Sequence, residues 1–281
     1  MNSFTTDESI SHASVESPAR LAENWQRCRQ EDLPKAFYVY DRAELRSERV
    51  VTYRLAGSAP GNMAETMIDA LTDMINDPAK FNFIVRLGLR PERLKGEITT
   101  EPAFALFLQV NNIGEEDDNW EDNCIEMTWK NDGYFSTAQS AYPDSEANAI
   151  PAASAYLFVY SWLETPEKDL ARPFTAATRT LGERVKAYIF SPAESRSIYN
   201  DLKHSTKNEL QVHLGRGLAV WVHPFSFRPV IEVKGAVKGG VYADPVREST
   251  GLSNLPLDDD GDGDGDSFYD YSHPDPPGYP D

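Results

Sequence analysis

Apolar positions along this chain fall into short alternating runs broken by two clear helical stripes. Ala36 to Tyr40 and Arg49 to Leu55 are rich in Val and Tyr and read as strands. Met63, Met67, Ile68, Leu71, Met74 and Ile75 form one apolar stripe, which predicts a helix capped by Asn62 and ended by Asp77-Pro78. Phe81 to Leu89 is apolar and fits strand or helix. Ala103 to Val110 is a near-continuous apolar run, as in a strand covered on both faces.

Cys124 to Trp129 alternates and reads as one strand, followed by a turn at Asn131-Asp132-Gly133. Tyr156 to Leu163 is the most apolar segment. Phe174 to Glu183 reads as helix and Val185 to Phe190 as strand. Ser191-Pro192-Ala193-Glu194 carries the signature of a capped helix start, running to about Lys203. Leu210, Val212 and Leu214, then Leu218, Val220 and Val222, alternate around Gly215-Arg216-Gly217 and predict a hairpin; Val230 to Val233 adds a strand. A short helix from Arg20 to about Gln30 completes the reading.

These elements follow no regular strand–helix–strand rhythm. They predict an α+β fold: mostly antiparallel sheet with two or three helices and a disordered acidic C-terminal tail. A β-sandwich with inserted helices is the alternative. The expected organisation is an N-terminal arm over 1–19, one globular domain over 20–250 and a tail over 251–281.

Composition fits a folded body. Of 281 residues, 40% are hydrophobic, enough for a sizeable core. Two cysteines, Cys28 and Cys124, rule out a dense disulfide framework and read as reduced thiols. The first 19 residues are polar and acidic, unlike a secretory or transit peptide. The longest apolar stretch, Ala152 to Leu163, is too short to span a bilayer. The expected location is cytoplasmic, or the host cell interior for a virus-encoded chain.

Charge changes the picture more. The net charge is −18, but residues 101–170 carry −12, residues 172–238 carry +6, and residues 251–281 hold nine aspartates and no base. Within the basic block, Arg179, Arg184, Lys186, Arg196, Lys203, Lys207, Arg216 and Arg228 are the candidate nucleic-acid contacts. Aromatic residues interleave with them. Cations can follow a phosphate backbone while exposed rings stack on unpaired bases.

The tail offers two further readings. Asp260, Asp262 and Asp264 fit ligand positions of an EF-hand loop around Gly265, but the closing position is Tyr271 and no helices flank it. Pro276-Pro277-Gly278-Tyr279 matches the Pro-Pro-x-Tyr ligand of WW domains, so Pro276, Pro277 and Tyr279 are candidate partner contacts. Such tails resemble the budding motifs of some viral matrix proteins and the C-tails of ubiquitin-ligase adaptors, over these four residues. In layout, an acidic tail with a late aromatic also resembles phage and bacterial single-strand DNA-binding proteins, where the tail competes with DNA for a basic groove. Here the chain ends Tyr279-Pro280-Asp281 rather than in phenylalanine.

The sequence holds no nucleophile elbow, P-loop, dinucleotide fingerprint or zinc-protease motif, and implies no cofactor or metal. His204, His213 and His223 are the one histidine set that could converge, but His213 sits on the polar side of an alternating strand, where a solvated or hydrogen-bonded histidine is ordinary. The sequence therefore points to a non-catalytic interaction protein, viral or phage-encoded. It would bind nucleic acid, single-stranded in one version, through 172–238 under regulation by its tail. An adaptor recruited through Pro276–Tyr279 is the alternative, and an enzyme with an unfamiliar site the third.

Overall fold

The computed structural model describes residues 16–41, 46–56, 67–95, 100–114, 119–130, 150, 152–175, 184–217, 226–237, 264–269 and 273–275. Their architecture is α+β. Twelve strands form one two-stranded and two five-stranded sheets, every described pairing is antiparallel, and four α-helices accompany them. The helix number exceeds the two or three predicted because Ala152–Leu163 is also helical.

The first large sheet runs in the order β11(Asp264–Tyr269), β10(Phe227–Val237), β9(Glu209–Arg216), β3(Thr52–Ala56), β7(Thr128–Lys130). The second runs β12(His273–Asp275), β8(Ala187–Ile189), β4(Phe81–Leu89), β5(Phe104–Asn112), β6(Cys124–Glu126). β1(Tyr38–Asp41) and β2(Arg46–Arg49) pair separately.

Alternation assigns the faces. Leu210, Val212 and Leu214 of β9 and Ile231 and Val233 of β10 turn to the same core as Phe83, Val85 and Leu87 of β4 and Leu106 and Leu108 of β5. The two large sheets thus bury one shared interior between them, as in the sandwich weighed from the sequence. An aromatic cluster fills it: Phe174 and Phe227 lie 4.3 Å apart, and Phe37 stacks on Phe174 at 5.3 Å. The indole N–H groups are satisfied, Trp25 donating to the Val185 carbonyl at 2.8 Å and Trp162 to that of Val50 at 3.0 Å.

Both edges of the sandwich are lined by strands consecutive in sequence that belong to different sheets. Cys124 to Trp129 is two strands rather than the single strand predicted: β6 pairs with β5 and β7 with β3, with buried Met127 between them donating its N–H to Leu106. At the opposite edges, β11 pairs with β10 and β12 with β8. Within the region expected to be disordered, residues 264–269 and 273–275 are therefore strands. The reason is non-local. Repulsion among the aspartates opposes order in the isolated segment, but the β10 edge supplies backbone partners, and Phe268 and Tyr269 are buried, each worth about 1.5–3 kcal/mol.

Helices complete the packing. α1(Pro18–Arg27) packs across β4, where a Cβ on Gly88 would meet Leu21 at 3.2 Å and the Phe107 ring at 2.8 Å. α2(Met67–Met74) contributes Leu71 to the core. α4(Pro192–Lys203) opens with the predicted capping box: Ser191 Oγ accepts from the Glu194 N–H, and the Glu194 carboxylate accepts from the Ser191 N–H. The predicted hairpin turn is displaced. Arg216 is the last residue of β9, whose partner is β10 in the register Arg216 to Phe227. Leu218 to Val222, Asn131 to Gly133 and most of the predicted 174–183 helix lie outside the described residues.

Candidate functional site

The unassigned apolar run becomes α3(Ala152–Leu163), a helix without a charged residue. It lies on the outer face of the first sheet, over β9, β10 and β11. Ala155 and the half-buried Phe158 pack with Val230 and Phe268. Gly215 permits the approach, since a Cβ there would meet Phe158 at 3.1 Å and the Arg228 carbonyl at 2.7 Å. Just before the helix, the Ile150 N–H donates to Phe268 at 2.8 Å.

Its C-terminal end is held by cations. Arg49 Nη1 donates to the carbonyls of Trp162, Leu163 and Thr165 at 2.8, 2.7 and 2.7 Å, while Nη2 donates to Tyr38. Arg216 Nη1 adds a bond to Thr165 Oγ1 at 3.1 Å. Positive charge at the C-terminal carbonyls complements the helix dipole and fixes the helix in place.

The outward face is apolar as well. Tyr156, Leu157 and Tyr160 are 39%, 48% and 48% exposed, and the two tyrosine rings stack at 6.0 Å and 20°. A surface helix ordinarily turns charged residues to water, and this one turns aromatic rings. The stripe was not singled out from the sequence. Positions 156, 157 and 160 do share one helical face, but with both faces apolar the pattern carries no contrast.

The basic residues do not assemble in one place. Arg184 is buried and donates to the carbonyls of Trp25 and Cys28, with its guanidinium over the Trp25 ring; it belongs to the fold rather than to a groove. Arg196, Lys203 and Lys207 are exposed on and just after α4, Arg196 donating to the Ala79 carbonyl at 3.0 Å. Arg216 and Arg228 are half-buried at the far end of β9 and the near end of β10. The eight residues of β9 separate Lys207 from Arg216 by roughly 25 Å at about 3.3 Å per residue. Lys186 is exposed beside β8, and Arg179 lies outside the described residues, as do Pro276, Pro277 and Tyr279.

Beneath the sheet's outer face the sequence concealed a polar line. His213 Nε2 donates to Glu232 Oε2 at 2.7 Å, Thr52 Oγ1 faces His213 Nδ1 at 3.0 Å, and Lys234 Nζ reaches Glu232 Oε1 at 2.6 Å. Burial pushes the Glu232 carboxyl up, but the bond and charge of His213, together with Lys234, outweigh it and leave the group below its ordinary value. The ionised carboxylate is an acceptor only, which places a proton on Nε2. Hydroxyl, imidazole and carboxylate in line resemble an acid–base relay. Thr52, His213 and Glu232 are each at most 4% exposed, however, so a substrate has no approach to the hydroxyl, and the line acts as a structural network.

His204 lies at the end of α4 with Nδ1 against the Asn200 carbonyl, and His223 is outside the described residues. Among the described residues no group of three His, Cys, Asp or Glu side chains is arranged to hold a metal ion, and no helix is long and apolar enough to cross a membrane. Compared with protein-family models, curated proteins and solved structures, the chain matches none.

Proposed function

We propose that this chain is a non-catalytic interaction protein that inserts the exposed stripe of α3 into an apolar groove on a partner protein. The observation that carries the reading is the helix itself: uncharged along its length, clamped at its C-terminus, and presenting Tyr156, Leu157 and Tyr160 to solvent. Anchors at one helical face are the usual currency of helix-in-groove recognition. Three side chains form a narrow strip, suited to a groove rather than to the broad flat contact of a stable dimer. With a net charge of −18, a second copy of the chain is electrostatically disfavoured and a basic-rimmed partner is favoured. Nucleic acid fits less well, because Arg184 is buried, Arg216 and Arg228 are half-buried, and these two lie at the opposite end of β9 from the exposed Lys207.

A photo-crosslinking residue at position 157, with a control at Lys203, tests this in cells that express the chain. The expected adduct is one defined protein that, once purified, binds the full chain and loses about tenfold in affinity with Leu157→Glu, at unchanged melting temperature. An adduct only with the chain itself, an adduct only from position 203, or an affinity indifferent to Leu157→Glu overturns the reading. Salt-sensitive binding of single-stranded DNA, lost on reversing Arg196, Lys203 and Lys207, would return the function to nucleic acid.

A further inference from the structure

At the corner where the chain crosses from β6 to β7, a cleft of about 380 Å³ opens between the two large sheets. Buried Tyr53, Phe104 and Met127 line it, with Trp129 beside Tyr53 across the strand pair. The Tyr53 hydroxyl donates to the Phe104 carbonyl at 2.6 Å, and burial holds its pKa well above the ordinary value, so the site bears no phenolate charge.

Two ion pairs stand in the same cleft. Arg90 pairs with Glu126, and Arg93 with Glu101 at 2.5 Å while also donating to the Pro102 carbonyl at 2.9 Å. The pairs share an asymmetry. The arginine side chains are 18% and 27% exposed, whereas their glutamates are 46% and 65% exposed. Each guanidinium is thus held in the wall with its carboxylate on the solvent side. The solvent-facing carboxylate of each pair is screened by water, while the guanidinium in the wall keeps its fork for any carboxylate that arrives.

We propose that this cleft binds a carboxylate-bearing small ligand with a flat apolar body. The ligand's carboxylate replaces that of Glu101 on Arg93, and its ring lies against Trp129 and Met127. Glu101 acts as an internal competitor, vacating the guanidinium when the ligand enters. Ligand sites of this kind join an apolar lining to a few placed polar groups.

The test is calorimetric titration of the full chain with indole-3-acetate, and with indole-3-acetamide as its uncharged counterpart. Saturable binding of the acid is expected, about tenfold tighter than the amide. Arg93→Gln should abolish that preference, and Glu101→Gln should tighten acid binding several-fold by removing the competitor, with melting curves reporting the fold of each variant. Equal affinity for acid and amide, unchanged or weaker binding by Glu101→Gln, or no binding of the acid by either wild type or Glu101→Gln overturns the proposal. This outcome is independent of the α3 surface, which shares none of these residues.

Discussion

Tyr269, in the second-to-last strand, donates its hydroxyl to Asp201 of α4 at 2.6 Å while its ring is wholly buried. One residue of the aspartate-rich C-terminal region is thereby both a core side chain and a tie to a helix. Removing only the hydroxyl, in Tyr269→Phe, should cost about 1 kcal/mol, and Tyr269→Ala about 3–5 kcal/mol through the cavity it leaves. Urea midpoints measure both. A chain ending at Thr250 loses β11 and β12 together and should unfold at markedly lower urea than Tyr269→Phe; equal midpoints would show that the closing strands contribute no more than that one hydroxyl.

The Glu232–His213 pair predicts a specific acid limb. The folded carboxyl titrates below its ordinary 4.5, so as pH falls the unfolded chain takes up the proton first. The contribution is complete about a unit above 4.5 and is lost as pH drops through the lowered folded value. Many other carboxylates titrate in this range, so the difference between proteins is decisive. Glu232→Gln should be less stable at neutral pH by on the order of 3 kcal/mol, and the gap to wild type should narrow towards pH 3. A gap independent of pH would place the stabilisation elsewhere.

What the sequence disclosed depended on whether an element's signal was local. The capping box of Ser191 and Glu194 and the alternation of Leu210, Val212 and Leu214 were legible because neighbours in sequence carry them. α3 was not assigned, since an apolar run without contrast fits strand or helix equally. The alternation leaves His213 either solvated or hydrogen-bonded on the polar side of its strand; it is hydrogen-bonded and buried, because α3 packs on that face, a fact held by another part of the chain. The pairing of 264–269 with β10 was likewise invisible, because its partner lies far away in sequence. Blocks of charge in the sequence do not fix surface patches for a related reason: Lys207 and Arg216 are close in sequence, and an extended strand carries them apart.

Arg184 separates the structural cation from the surface ones. Its guanidinium donates to two carbonyls at the end of α1 and lies 5.2 Å from the Trp25 ring. Arg184→Lys keeps the charge but loses the fork, and should cost about 1–3 kcal/mol. Lys203→Arg, on an exposed side chain, should stay within about 0.5 kcal/mol. Thermal unfolding of the two variants side by side distinguishes them, and equal effects would remove Arg184 from the framework.

Gly235 tests the joint between β10 and the end of α4. The register of β10 against β11 shifts between Val233 and Ala236, and Gly235 within that shift has φ +64°, in the left-handed region. Its carbonyl accepts the Thr206 N–H at 2.9 Å, and a Cβ at this position would meet Thr206 Oγ1 at 2.7 Å and Lys207 Cγ at 2.9 Å. Both neighbours are exposed and can give way, so the backbone conformation dominates the cost. Gly235→Ala should lose about 1–2 kcal/mol. Gly235→Asn should lose less, because asparagine tolerates this conformation although it adds the same Cβ. A Thr206→Ala background should recover only the smaller, steric part. Urea melts of wild type and the two glycine variants, each with and without Thr206→Ala, decide it: if alanine and asparagine cost the same and Thr206→Ala rescues both, the contact with Thr206 rather than the left-handed turn sets the cost.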